Sequence, residues 1–377
     1  MKKAVVAGHI CLDVIPAFEN HVDLTPGRLY EVGAPTFATG GAVSNTGMTM
    51  HILGTPVLLM GKVGDDSFGE QILGILKKRQ PGLEAGMAVV PGVASSYTVV
   101  VNIPGVDRIF LHCPGANMNY GCADVNWSQV KESALFHFGY PCFMANMYAN
   151  DAQELTKMYK TAKELGVTTS MDPGMPDASG LAGQVDWKGV LERTLPYVDV
   201  FMPSADELLY MLNRSKFGKG DNLSAAELTV LGDQMLAMGA AVAAVKLGAR
   251  GMYIRTAGAE RLAKMGAGKP DCIDQWANRE YIFPIFKESC FKGATGAGDS
   301  SIGAFLCAML RSLPLYDAGL FSAAVGACNV EAADSLSGIK TWDETMARIN
   351  AGWETKAISL NETGWSQDAK GVWSKRL

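Results

Sequence analysis

The sequence predicts an α/β fold: a mostly parallel central sheet between two layers of helices, a three-layer α/β/α arrangement, with a small β-sheet lid. Three observations carry this. From about residue 150 onward, short apolar runs alternate with stretches of helical period, which requires crossover connections and a parallel sheet. Residues 12–37 and 95–113 break that alternation and read as short strands joined by turns. The glycine-rich turn "GATGAG" (Gly293–Gly298) runs straight into an apolar helical stripe.

Taken in order, "MKKAVVAGHICLDVIPAF" opens like a signal peptide, but Asp13 interrupts it and its β-branched residues suit a first strand. Pro16, Pro26, Gly27, Gly33 and Pro35, and later the turn "PGVD" inside "SSYTVVVNIPGVDRIFLHC", mark a small antiparallel sheet that projects as a lid. "FATGGAVSNTGMTMHILG" starts a helix after Gly40-Gly41 and ends it near Gly54. "VLLMGKVGDDSFGEQILGILKK" gives strand, turn and a helix with a Ser67–Glu70 capping box. Asn150 or Asp151 caps a helix carrying Leu155, Met158, Tyr159, Ala162 and Leu165, closed by Gly166. Strands follow in "VTTSMD", "VDVFMP" and "AAVAAVKLG", with helices in "SADELLYML" and from Ser224 onward. Residues 256–280 are polar with little periodicity and read as an inserted surface loop. Ile302, Phe305, Leu306, Met309 and Leu310 form one face of a helix beginning near Asp299. Thr341 and Glu344 form a further capping box, after which the chain begins with a helix and finishes irregularly. The expected division is a domain over 1–340 and a C-terminal helix and tail over 341–377.

Composition narrows the function. With 377 residues, 48% hydrophobic and 19% charged, the chain is globular rather than disordered. A net charge of −5 and the absence of a lysine-arginine block disfavour nucleic acid or an anionic membrane as partner. Eight cysteines without a C-x-x-C pair read as free thiols of a reducing compartment. No apolar run reaches the ~18 residues of a membrane span, so the expectation is a soluble cytoplasmic protein. His9, His51, His112 and His137 lack metal-ligand spacing and read as packing or surface residues.

The chemistry is concentrated at "GATGAGD". A helix N-terminus offers free N–H groups and the positive end of the helix dipole, and glycines let an oxyanion approach the backbone. The lysine of a P-loop is missing. A carboxylate there would repel bound phosphate unless it takes a proton from the attacking group, which points to phosphoryl transfer onto a hydroxyl with Asp299 as base. The alternative is that Asp299 only caps its helix. Asp172, Ser204, Gly248 and Gly296 would gather with it, beyond the carboxyl ends of the parallel strands.

"FATGGAVSNTGMTMHILG", "VLLMGKVGDDSFGEQILGILKK", "VKLGARG" and "GATGAGD", in this order, resemble the ribokinase-like (PfkB) family of sugar and nucleoside kinases from Val5 to about Gly338. The resemblance implies ATP as phosphoryl donor, Asp299 as catalytic base and Gly296, Ala297 and Gly298 as an anion hole. It implies substrate binding by Asp13, Gly40, Gly41 and Asn45, and nucleotide binding by Ser204, Lys246, Gly248, Gly251 and Thr295. Glu207 would order Mg2+ through water, "SAAVGACNV" would wall the adenine, and the lid would pair two subunits in a homodimer. Ser204–Glu207 is also a plain capping box. The chain departs from the pattern in two places: Gly293 and Ala294 replace an acid and a threonine, and Ser204 replaces an asparagine. The first removes an acid that helps hold a monovalent cation in the family, so weak or no potassium activation is expected. The implied activity is phosphorylation of a primary hydroxyl of a small sugar or sugar derivative. The alternatives are an adenosine-like nucleoside kinase and a non-catalytic sugar-binding protein on the same scaffold.

Overall fold

Alternating residues of one apolar run show how the main sheet is built. In the strand Ala4–Gly8, Ala4 and Val6 join one buried cluster while Val5 and Ala7 join another. Val242 and Ala244 divide from Ala243 and Val245 in the same way. Both faces of the sheet are covered, which is why its strands read as continuous apolar runs rather than alternating ones. The structure is a computed structural model describing residues 1–106, 108–360 and 362–375; Asp107 of the "PGVD" turn lies outside the described residues.

The strands in chain order are β1 (Ala4–Gly8), β2 (Cys11–Ala17), β3 (Gly33–Gly40), β4 (Val57–Met60), β5 (Lys62–Gly64), β6 (Ala88–Val90), β7 (Tyr97–Val101), β8 (Ile109–Cys113), β9 (Leu135–Gly139), β10 (Thr168–Asp172), β11 (Val200–Phe201), β12 (Val242–Lys246), β13 (Met252–Thr256), β14 (Glu280–Phe283), β15 (Trp365–Gln367) and β16 (Trp373–Lys375). The main sheet runs β4-β1-β9-β10-β11-β12 in parallel and continues antiparallel through β13, β14, β16 and β15. The fold is therefore the expected one: helices on both faces of a mostly parallel sheet, with a smaller sheet of order β3-β2-β7-β8 beside it.

Several local expectations are corrected. The lid is mixed rather than antiparallel: β2 pairs parallel with β7, Leu12 opposite Tyr97. Parallel neighbours need a crossover, and here the chain makes it by leaving β3 into the main domain before returning to β7. Asp66, not Ser67, caps the Ser67–Arg79 helix, accepting from the Gly69 N–H. Asn150, Asp151 and Ala152 all take left-handed backbone, so the next helix starts at Gln153 without a side-chain cap. The segment 256–280 is no surface loop. Leu262, Met265 and Trp276 are fully buried, and the Trp276 ring packs 5.6 Å from Phe305. Nor does the chain finish irregularly: β15 and β16 form a hairpin that extends the main sheet, with Trp373 opposite Ile282. Before that hairpin, residues 354–356 run beside 285–287, Lys287 N–H donating to Glu354 O and Lys356 N–H to Ile285 O.

All eight cysteines are free thiols. No helix among the described residues is long and apolar enough to cross a membrane.

Candidate active site

The Ala297–Leu310 helix begins two residues before the expected start, because Gly296 takes a left-handed conformation (φ 75°) and serves as N-cap. A Cβ at Gly296 would sit 2.5 Å from Ser335 Cβ, so only glycine fits this turn. Ala297 N–H turns back onto Ala294 O at 3.2 Å. Asp299 occupies the first turn but does not cap it. The capping alternative for this carboxylate fails on geometry.

What holds Asp299 instead comes from two other parts of the chain. Tyr140 Oη donates to both carboxylate oxygens, at 2.7 and 2.8 Å, and Asn45 Nδ2 donates to Oδ2 at 3.0 Å. Burial raises the Asp299 pKa above the usual carboxylate range, while the Lys246 charge and the hydrogen bonds from Tyr140 and Asn45 draw it back. Burial and the neighbouring carboxylates push the Tyr140 phenol upward, so it stays protonated and donates. Tyr140 itself has left-handed backbone (φ 64°), which turns its ring off the carboxyl end of β9.

Beside Asp299 lies a buried ion cluster. Lys246, last residue of β12, bonds Asp172 Oδ2 at 2.9 Å and lies 3.9 Å from Glu207. Burial alone would lower the lysine's pKa, but Asp172, Glu207 and Asp299 together raise it. Ser204 and Glu207 complete the capping box in both directions, Ser204 N–H donating to Glu207 Oε2 at 2.6 Å.

Two cavities flank this cluster. One, of about 350 Å³, is lined by Lys246, Gly248, Gly251, Ala297 and Gly298, and by Ala323, Gly326, Ala327 and Val330 of the small-residue helix Leu315–Asn329 and its cap. Lys356, from the segment beside 285–287, also reaches it. Ser204 and Thr295 do not line it. The other, of about 850 Å³, lies under the lid and is lined by Asp13, Gly41, Tyr140, His9 and His112, among others. Burial raises the Asp13 pKa to about 6, and Cys11 Sγ contacts its Oδ1 at 3.4 Å. Gly41 (φ 86°) must be glycine because a Cβ would lie 2.5 Å from His9 Nδ1. Gly40 abuts Asp13 in the same way, behind the cavity wall.

The structure thus brings Asp299, Asn45, Lys246, Glu207 and the 296–298 turn into one cluster. Asn45, expected to hold acceptor hydroxyls, spends its amide nitrogen on Asp299; its Oδ1 is buried without a partner. Sequence reasoning missed Tyr140 altogether and gave His9 and His112 no role. Their only signal was position, just past β1, at the end of β8 and just past β9.

A family model described as the pfkB family carbohydrate kinase matches residues 1–342. Fructokinase-2 from Solanum habrochaites is 26% identical over 342 residues, covering 85% of this chain and 90% of that protein. Other plant fructokinases match over less: fructokinase-1 from Oryza sativa subsp. japonica is 31% identical over 156 residues, 38% of this chain, and the match spans only 45% of that relative's length. Among solved structures, a fructokinase with bound ATP from Xylella fastidiosa aligns with a TM-score of 0.71 at 18% identity, covering 93% of this chain and 99% of that one. An Arabidopsis thaliana ribokinase complexed with ribose and ATP gives 0.70 at 16%, covering 92% and 98%. At those identities the structural likeness is one of fold.

Proposed function

Because the chain belongs to the pfkB family of carbohydrate kinases, we propose that it transfers the γ-phosphoryl group of ATP to a primary hydroxyl of a small sugar or sugar derivative. The observation that carries this reading is the setting of Asp299. It is buried in the first turn of a helix, between Tyr140, which lines the cavity under the lid, and Gly298, which lines the other.

In this reading the acceptor lies under the lid with a hydroxyl at Asp299, which takes the proton as oxygen bonds to phosphorus and the bond to the ADP oxygen breaks. Tyr140 and Asn45 hold the carboxylate in place. The helix N-terminus and the Lys246 ammonium offset charge developing on the transferred group. Covering of the cavity by the lid excludes water as a competing acceptor. ATP occupies the cavity walled by Gly326 and Ala327, with its phosphates toward Gly298 and Lys246.

No group of three or more metal-ligating side chains occurs among the described residues. Glu207 and Asp172 are committed in part to Ser204 and Lys246. Such a donor set fits Mg2+, which keeps several waters and takes its remaining ligands from substrate phosphates. When bound, that ion offsets phosphate charge, and Glu207 is the residue that would order its water.

The test is ADP release across pentoses, hexoses, sugar phosphates, sugar acids and nucleosides. Acceptor-dependent release that disappears in Asp299→Asn supports the proposal; a protein that binds sugars without turnover supports a non-catalytic role.

Tyr140→Phe removes two hydrogen bonds from Asp299 while keeping the ring. Because those bonds lower the Asp299 pKa, their loss raises it, so the acid limb of the kcat/KM profile should move to higher pH. At neutral pH kcat should fall by about 5- to 30-fold, equal to losing ~1–2 kcal/mol of positioning. An unchanged pH profile would remove Tyr140 from the mechanism.

Potassium should matter little. Gly293 supplies no side chain, and its surroundings offer the Ala332 and Ala333 carbonyls, which carry no formal charge. Asp334 is near in sequence, but its Oδ1 accepts from the Leu336 and Ser337 N–H groups. Asp271 accepts from Ser312 Oγ past the far end of the Ala297–Leu310 helix, away from Gly293. Activity should change less than about threefold, under ~0.7 kcal/mol, when potassium replaces a bulky organic cation at constant ionic strength. Tenfold activation would contradict this.

Homodimerisation through the lid is proposed on the exposure of its edge strand β8, where Ile109, Phe110 and Leu111 are all exposed, Phe110 at 54%. Unpaired edges carrying large apolar residues are seldom left in water. Sedimentation should show a dimer at micromolar concentration that Phe110→Lys weakens; a monomer throughout would refute it.

A further inference from the structure

The cavity of about 350 Å³ beside Asp299 has two charged parts, and phosphoryl transfer accounts for only one of them. Lys246, next to Gly298, is the part already described. Glu288 and Lys356 are the other charged residues that line it. The rest of the lining is apolar or small, apart from Ser301, whose hydroxyl donates to Ala297 O at 2.9 Å.

The sheet sets the separation of the two parts. Lys246 ends β12, and the segment carrying Glu288 continues from β14. β13 lies between these strands and is antiparallel to both, so both leave the sheet at the same edge. Two strand spacings are about 10 Å. A nucleotide with its phosphates at Lys246 would extend its base toward Glu288.

Lys356 lies beyond residues 1–342, so the family match does not supply it. Its backbone is fixed without help from its side chain. Lys356 N–H donates to Ile285 O at 2.8 Å and Lys287 N–H to Glu354 O at 2.9 Å. The Trp353 ring packs 4.7 Å from Phe286, and its Nε1 donates to Lys287 O at 2.7 Å. The ammonium is therefore free for another role, and it sits 2.7 Å from each oxygen of Glu288. The Lys356 hydrogen bond holds Glu288 below the usual carboxylate range, so Glu288 is ionised at pH 7. An ammonium that gives two of its three hydrogens keeps one, and a carboxylate that accepts two bonds keeps lone pairs. Both side chains remain accessible, Lys356 at 41% and Glu288 at 17%. A donor and an acceptor thus stand side by side in the wall of the cavity.

Resting on the ATP-dependent kinase reading above, we propose that the Glu288–Lys356 pair reads the base of the phosphoryl donor and selects adenine. Adenine carries an amino group at N6 beside an acceptor at N7, whereas guanine presents two acceptors, O6 and N7, on the same edge. The adenine amino group donates to Glu288 and N7 accepts from Lys356. Guanine would turn O6 toward the carboxylate, two acceptors with no hydrogen between them.

The experiment measures calorimetric binding of Mg-ATP, Mg-GTP and Mg-7-deaza-ATP without acceptor, and nucleoside diphosphate release with whichever acceptor the sugar screen identifies. ATP should bind at least tenfold more tightly than GTP. 7-Deaza-ATP, which lacks the N7 acceptor, should bind at least fivefold more weakly than ATP, and this comparison needs no variant. Lys356→Met should weaken ATP by a similar factor, leave 7-deaza-ATP within twofold of its wild-type affinity and leave the acceptor KM within twofold, because one lost bond cannot be lost twice. Glu288→Gln, which can also donate, should bring the ATP:GTP ratio below threefold. Glu288→Lys combined with Lys356→Glu keeps an ion pair but exchanges its ends; it should lose the preference for ATP, whereas a pair that only ties the segment down would keep it. If ATP and GTP bind equally, or the exchanged pair behaves like the wild type, the base assignment is overturned, and Asp299-dependent turnover would leave the kinase reading standing. If ATP is preferred in a Glu288- and Lys356-dependent way but no acceptor is turned over, the kinase reading falls and the base assignment stands.

Discussion

Asp299→Asn should lower kcat by at least ~10²-fold, about 2.7 kcal/mol, while ATP still binds and the protein stays folded. The substitution keeps size and shape but removes the only group at this turn able to accept a proton. Asn can still receive the Tyr140 hydrogen bond through its oxygen, though its amide would face the Asn45 amide. Burial already raises the carboxylate's pKa, so removing its charge relieves desolvation and folding stability should be equal or higher. The measurement is single-turnover ADP formation alongside ATP binding by fluorescence. Near-normal turnover in a folded variant would defeat the base assignment.

The second large effect is on stability. Lys246→Met leaves Asp172, which is fully buried, and Glu207 without the cation that sits 2.9 and 3.9 Å from them. Breaking a buried ion pair from one side costs about 3–5 kcal/mol, because the remaining charge is uncompensated. The sign with pH follows. Burial raises the Asp172 pKa even with Lys246 present, and without it the rise is larger. A carboxyl whose folded pKa is raised is most favourable below its unfolded pKa, and that contribution is lost as pH rises through the folded value. Lys246→Met should therefore lose most stability at neutral and alkaline pH and least near pH 4. Urea unfolding at pH 4.5 and 7.5 checks this, and adding Asp172→Asn should restore much of the loss. Equal destabilisation at both pH values would show that packing, not charge, is what Lys246 provides.

The surroundings of Asp299 also show how far the sequence could be read. Asp299 and Gly296 were legible because a glycine turn, an acid and an apolar helix stripe are contiguous, and local backbone chemistry explains their order. Tyr140 was not. It reaches Asp299 across 159 positions, and nothing in "FHFGYPCFM" distinguishes its ring from core aromatics such as Phe136 and Phe138. His9 was set aside for lack of metal spacing, a criterion that cannot detect a buried ring lining a cavity. The 256–280 segment hid Leu262, Met265 and Trp276 because polar neighbours dilute their periodicity. The β15–β16 hairpin escaped notice because strands of three residues are too short for an alternating pattern to show.

The connections of the lid have a mechanical consequence. The links between β1 and β2 and out of β3 are short, and each carries a cavity-lining residue: His9 on one side, Gly41 on the other. A rotation of the lid sheet therefore turns the very backbone that carries a cavity wall, as a lever turns its own fulcrum. Lid orientation and cavity shape are one degree of freedom. Amide hydrogen exchange along β2 and β3 should then slow whenever the cavity is filled, even where those amides touch no ligand.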